Sequence, residues 1–144
     1  MAVVVLARVD DRLIHGTVAV RWVPYLAADI LVVADHEATD SAVRQLLEYA
    51  VPKGAQLLVE EPIMLAERLL YMPADVRILV LWKTLSACAD SIDSGFEPPN
   101  GSVQLAMPPQ TALWQTEQKA LHRLQQKGIR VYIQYLPQHP KEAL

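Results

Sequence analysis

The sequence predicts an α/β protein with a single-domain, doubly wound, mostly parallel sheet of about six to seven strands and helices on both faces. Three observations predict it. Short apolar runs alternate with stretches of helical period from one end of the chain to the other. The apolar runs are nearly continuous rather than alternating, as strands covered on both faces require. The length of 144 residues, 52% hydrophobic and 20% charged, suits one globular domain spanning residues 1–144 with a core that needs no disulfide or metal.

Val3 to Ala7 is a first strand, succeeded by a polar loop and a helix opening near Gly16, with Val18, Trp22 and Leu26 on one face. Pro24 should end or kink that helix early, because proline lacks the N–H that a helix interior uses. Ile30 to Ala34 is a second strand. Thr39 is placed to cap the next helix, in which Ala42, Leu46 and Ala50 stack at i, i+4 beside Val43 and Leu47. Pro52, Lys53 and Gly54 turn the chain into a third strand, Gln56 to Val59. Pro62 suits the first turn of a helix through Leu70. Val76 to Trp82 is the most apolar strand and is expected inside the sheet, with a short helix, Leu85 to Ile92, after it. Val103 to Ala106 is a fifth strand. Trp114 to Lys127 is helical, with Gly128 as its stop, and Ile129 to Tyr135 closes the fold with Ile129, Val131 and Ile133 inward.

Composition excludes several functions. A net charge of -3 offers no general attraction to nucleic acid. Cys88 is the lone cysteine, which excludes an intrachain disulfide and a multi-cysteine zinc site, and reads as a small core residue. No apolar run is long enough to span a membrane. The apolar start, Ala2 to Leu6, lacks a basic lead and runs directly into Arg8 and Asp10, so it reads as a buried strand rather than a leader. The expected location is the cytoplasm.

In an open parallel sheet, ligands bind beyond the carboxyl ends of the strands. The first loop, Arg8-Val9-Asp10-Asp11-Arg12-Leu13-Ile14-His15-Gly16, carries by far the most chemistry. Guanidinium groups grip phosphate oxygens in a fixed fork, and a carboxylate can fix the tautomer of an imidazole, leaving its other nitrogen free. Gly16 allows close backbone approach, and the helix behind it aims free N–H groups at an anion. This combination suits an anion held beside a nucleophilic nitrogen. The plain alternative is an ion-paired surface loop in which Asp10 and Asp11 neutralise Arg8 and Arg12, and residue types alone do not choose. Elsewhere, Lys83 and Thr84 end an inner strand, where they either reach a phosphate or cap the next helix. His36 succeeds Asp35 at the second strand end, as a second titrating group or a loop histidine. Glu60 and Glu61 suit the N-terminus of the next helix. Met107, Pro108 and Pro109 after the fifth strand offer little. Trp22 and Trp82 read as packing, His122 as solvated and His139 as part of an inert tail. Trp114, Tyr132 and Tyr135 are candidates for a partner surface.

The first-loop motif, continued by Val18-Ala19 and Arg21-Trp22, resembles the signature of sorbose/mannose-family IIB subunits of the bacterial sugar phosphotransferase system. Ile30 to Asp35, Trp82-Lys83-Thr84 and Gly128-Ile129-Arg130-Val131 match the same family order. The resemblance implies a phosphotransferase that accepts phosphoryl from a IIA partner on His15, at Nδ1, and donates it to a sugar imported through membrane subunits IIC and IID. It implies that Arg8 and Arg12 bind the phosphoryl oxygens and that Asp10 orients His15 or ties down an arginine. Gly16, Thr17, Lys83 and Thr84 are further candidates for phosphate contact. No metal or cofactor is expected, since arginines and backbone N–H groups can supply the positive field. The chain departs from the family where Thr17 stands in place of a frequent Gln, where His36 comes after Asp35, and where the fifth strand lacks an Asn/Gly-rich loop behind it. A regulatory relative that keeps the fold and His15 but serves no transport is the rival reading. A homo-oligomer is compatible with either.

Overall fold

The computed structural model describes residues 2–107 and 114–144, with Trp114 as backbone alone. One sheet contains β1 (Val3–Val9), β2 (Ile30–Ala34), β3 (Gln56–Glu60), β4 (Arg77–Trp82), β5 (Ser102–Leu105), β6 (Arg130–Ile133) and β7 (Glu142–Ala143). Their order is β3-β2-β4-β1-β5-β6-β7. The pairings are parallel except for β6 with β7. The predicted class therefore holds, with β4 inside the sheet as expected.

Both faces are covered. On one, α1 (Val23–Leu26) and α2 (Ser41–Ala50) pack Val23 and Leu47 toward Leu6, Leu31, Val33, Leu79 and Leu81. On the other, α3 (Leu65–Leu69), α4 (Leu85–Asp93) and α5 (Trp114–Gln126) pack Leu65, Cys88 and Leu124 toward Val9, Val32, Val80, Trp82 and Val131. Successive residues of β2 and β4 thus enter opposite layers, which is why their sequences are apolar throughout. Each fully buried Val or Leu contributes about 1.5–3 kcal/mol relative to exposure, so these two strands specify the sheet most strongly.

The departures from expectation are local. The first helix contains a π turn, Val18–Trp22, in which the Val23 N–H bonds the Val18 carbonyl. Pro24 has no N–H to give the Val20 carbonyl, so the wider turn carries the chain past it. The helix then stops at Leu26, with Ala27 at φ 51°. The cap of α2 is Asp40, whose carboxylate accepts from the Ala42 N–H at 2.9 Å, whereas the Thr39 hydroxyl donates to the His36 carbonyl at 2.6 Å. Strand β7 is an addition to the expected elements, since two residues beyond Pro140 are too few to carry a periodic signal. Gly128 ends α5 at φ 79°, and the Ile129 N–H closes back on the Leu124 carbonyl at 3.0 Å. Residues 108–113, including Pro108 and Pro109, lie outside the described residues, as does the side chain of Trp114 with the partner surface suggested for it.

Candidate functional site

The site grows out of the end of β1. The Asp10 N–H bonds the Trp82 carbonyl and the Ala106 N–H bonds the Val9 carbonyl, each at 2.9 Å, so the chain leaves the sheet between its two parallel neighbours. It turns at once. The Leu13 N–H returns to the Asp10 carbonyl at 2.9 Å, and the Asp10 carboxylate accepts from the Arg12 N–H at 3.1 Å. Leu13 takes φ 55°, a left-handed conformation that costs a residue with a side chain about 1–3 kcal/mol. Burial of Leu13 and Ile14 beside Val18 and Trp22 offsets that strain and swings His15 back over Asp10.

His15 is held at both ring nitrogens. Nε2 lies 2.8 Å from the Asp10 carboxylate, and Nδ1 lies 3.3 Å from the Thr17 N–H. Burial alone would raise the Asp10 carboxyl, but the His15 contact, the Arg12 N–H and the neighbouring charges bring it below the ordinary range. An ionised carboxylate only accepts and a backbone N–H only donates. The two contacts together therefore select the tautomer with hydrogen on Nε2 and a lone pair on Nδ1.

Arg8 corrects an expectation. Its side chain is fully buried, with its guanidinium 5.1 Å from the Trp22 ring centroid. One nitrogen donates to the Gln104 side chain and, at 2.9 Å, to the Gln134 carbonyl; the other reaches Asp10 and the Tyr135 carbonyl at 3.3 Å each. Tied to these partners beneath the loop, Arg8 braces Asp10 instead of facing an incoming phosphoryl group. Arg12 is the exposed arginine, its side chain 46% accessible against 1% for Asp10, and its Nε lies 3.6 Å from the Asp10 carboxylate. Its guanidinium sits 5.7 Å from the Tyr135 ring centroid. The Thr17 and Tyr135 hydroxyls are 3.0 Å apart, and either can supply the hydrogen.

The other candidates are placed differently. The Thr84 hydroxyl caps α4 by accepting from the Ala87 N–H at 3.1 Å, and the Lys83 ammonium lies 3.5 Å from Glu37. Neither hydrogen-bonds to His15, so the capping alternative holds for Thr84 and ion pairing occupies Lys83. Gly16 opens the helix, but a Cβ built there meets nothing within 4 Å among the described residues, so none of these demands glycine. His36 pairs with Glu61 at 2.7 Å, and the Glu61 side chain makes no capping bond to the turn it precedes. His139, far from inert, accepts the Leu136 N–H on Nδ1 at 3.3 Å. Sequence reasoning misses Gln104 and Gln134, and gives Tyr135 only a place on a partner surface. Gln134 and Tyr135 come directly after β6, where the rule that ligands gather beyond strand ends applies as it does to the first five strands. That position was the available signal for both; Gln104, inside β5, carried none.

Among the described residues, no three potential metal ligands cluster, and no helix is long and apolar enough to cross a membrane. A cleft of about 740 Å³ lined by Trp22, Tyr25, Gln104, Tyr132 and Lys141 does not include His15.

Residues 4–144 match the family model described as the PTS system sorbose subfamily IIB component. The chain belongs to that family. A probable phosphotransferase enzyme IIB component of Streptococcus pyogenes is 53% identical over 53 residues, 36% of this chain and 32% of that protein. An N-acetylgalactosamine-specific IIB component 2 of Escherichia coli is 42% identical over 52 residues, 35% and 33% of the two chains. In both, the match spans about a third of the relative's length. The fructose-specific EIIB component of Bacillus subtilis is 26% identical over 96% of this chain and 91% of its own. Among solved structures, manxB from Thermoanaerobacter tengcongensis superposes with a TM-score of 0.81 at 26% identity, covering 99% of this chain and 93% of that one. This IIB component thus shares the family's α/β fold over nearly its full length, and names across the family attach it to the sugar phosphotransferase system.

Proposed function

We propose that this IIB component carries a phosphoryl group on Nδ1 of His15, taking it from the phosphohistidine of a IIA protein and passing it to a sugar entering through IIC and IID. The observation that carries the reading is the pair of contacts on His15. Asp10 holds the hydrogen on Nε2, and the lone pair of Nδ1 faces the Thr17 N–H. When Nδ1 attacks phosphorus, the bond to the donor imidazole breaks and His15 becomes a phosphoimidazolium. The buried Asp10 carboxylate then lies against the positive charge the ring has gained. Charge on the transferring oxygens is stabilised by the Thr17 N–H and by Arg12, the arginine free to swing toward them. In the second step a sugar hydroxyl attacks phosphorus as the P–Nδ1 bond breaks, its proton passes to solvent, and His15 returns to the neutral imidazole.

The test is phosphorylation with phosphoenolpyruvate, the general phosphotransferase proteins and a mannose-family IIA donor, with mass spectrometry afterwards under alkaline conditions. One acid-labile phosphate on His15, absent from His15→Ala, is the expected result. No label from several active IIA donors would sink the proposal. Transfer onward to sugar is then measured in vesicles containing IIC and IID.

A further inference from the structure

Tyr135 touches more of the site than any role so far given to it. We infer that Tyr135 is a positioning residue that fixes the direction of the Thr17 hydroxyl, so that Thr17 gives its hydrogen to a phosphoryl oxygen on His15. This rests on the proposed carrier function. A phenol is a stronger acid and a weaker acceptor than an aliphatic hydroxyl, so of the two hydroxyls it is the better donor. The phenol hydrogen is then turned toward the Thr17 oxygen, 3.0 Å away. Thr17, having accepted, keeps its own hydrogen for a third group. That hydroxyl belongs to the residue whose N–H already faces Nδ1 at 3.3 Å. The chain of donors therefore runs from Tyr135 through Thr17 to the reacting nitrogen's neighbourhood.

The phenol is held in place to do this. The Tyr135 carbonyl accepts from Trp22 Nε1 at 2.9 Å and from Arg8 at 3.3 Å. The Gln134 side chain before it donates to the His139 carbonyl at 2.9 Å and the Pro137 carbonyl at 3.3 Å.

The test is a double-mutant cycle of Tyr135→Phe and Thr17→Val, read as the equilibrium constant for phosphoryl exchange with IIA. Tyr135→Phe keeps the ring and the carbonyl contacts, and its thermal midpoint should match that of the parent protein. Each single variant should shift the equilibrium about five-fold toward phospho-IIA, the worth of one ordinary hydrogen bond. The double variant should shift it no further, because both remove the same hydrogen. Additive effects, or no effect of Tyr135→Phe, would overturn the inference. If the parent protein accepts no phosphoryl at all, the carrier proposal fails, and the inference is read separately with inorganic phosphate as probe, titrated against the Thr17 amide resonance. A phosphate affinity unchanged in Tyr135→Phe would then refute it; equal, non-additive weakening in the two variants would support it.

Discussion

At the scale of single residues, two arginines that look equivalent in sequence have opposite fates. Arg8 is fully buried and Asp10 is its ionic partner at 3.3 Å. Removing one member of a buried pair leaves the other charge uncompensated, so Asp10→Ala should destabilise folding by about 3–5 kcal/mol in urea unfolding. Arg12→Ala should cost less than about 1 kcal/mol, as exposed pairs do, while reducing phosphoryl acceptance. The same carboxylate sets an acid limit. Its folded pKa is lowered, so its contribution to stability is fully present above about pH 4 and is lost as pH falls through the folded value. Urea midpoints should therefore agree at pH 7 and 5 and fall at pH 3 in the parent protein, and fall less in Asp10→Ala. Gly16→Ala, in open space, should leave unfolding energy unharmed and slow acceptance from IIA, since the room it opens lies outside the chain. His15, Asp10 and Arg12 are legible as a group because they are close in sequence. Whether an arginine faces in or out is decided by residues about a hundred positions away, and nothing local records it.

At the scale of elements, strands are legible and caps are not. Ile30 to Ala34 agrees to the residue because burial on both faces leaves no polar position to blur its ends. The cap of α2 lies one residue beyond the expected one, since Thr39 and Asp40 are both competent and backbone conformation chooses. Asp40→Ala should cost about 1 kcal/mol and Thr39→Ala distinctly less, measured as shifts in denaturation midpoint. Between elements, the Trp82 indole N–H donates to the Ser91 hydroxyl at 2.9 Å, which donates to the Pro62 carbonyl at 2.7 Å. This relay ties β4 and α4 to the turn before α3. Ser91→Ala orphans a buried donor and an acceptor, and should lose about 1–3 kcal/mol where a surface serine would lose almost nothing. The relay has no local signature, because a serine on a helix reads as polar surface.

At the scale of the whole molecule, strand–helix alternation identifies the sheet but cannot order its strands. The order places β1 between β4 and β5, with β6 and the unforeseen β7 beyond. Removing residues 137–144 deletes β7 and the carbonyls that anchor Gln134. Hydrogen exchange should then accelerate at amides 10–17 while β2 and β3 remain protected, since those strands lie at the opposite end of the sheet.

The partners of Arg8 also give the protein a timetable. Ribosomes deliver chains from the N-terminus, so the histidine loop is made before its supports: Gln104, Gln134 and Tyr135 come 96, 126 and 127 positions after Arg8. Until the last of them emerges, a guanidinium destined for the interior has few of its acceptors, and the histidine loop has no floor. A nascent chain that has not yet reached Tyr135 therefore presents His15 without the support that the folded protein gives it.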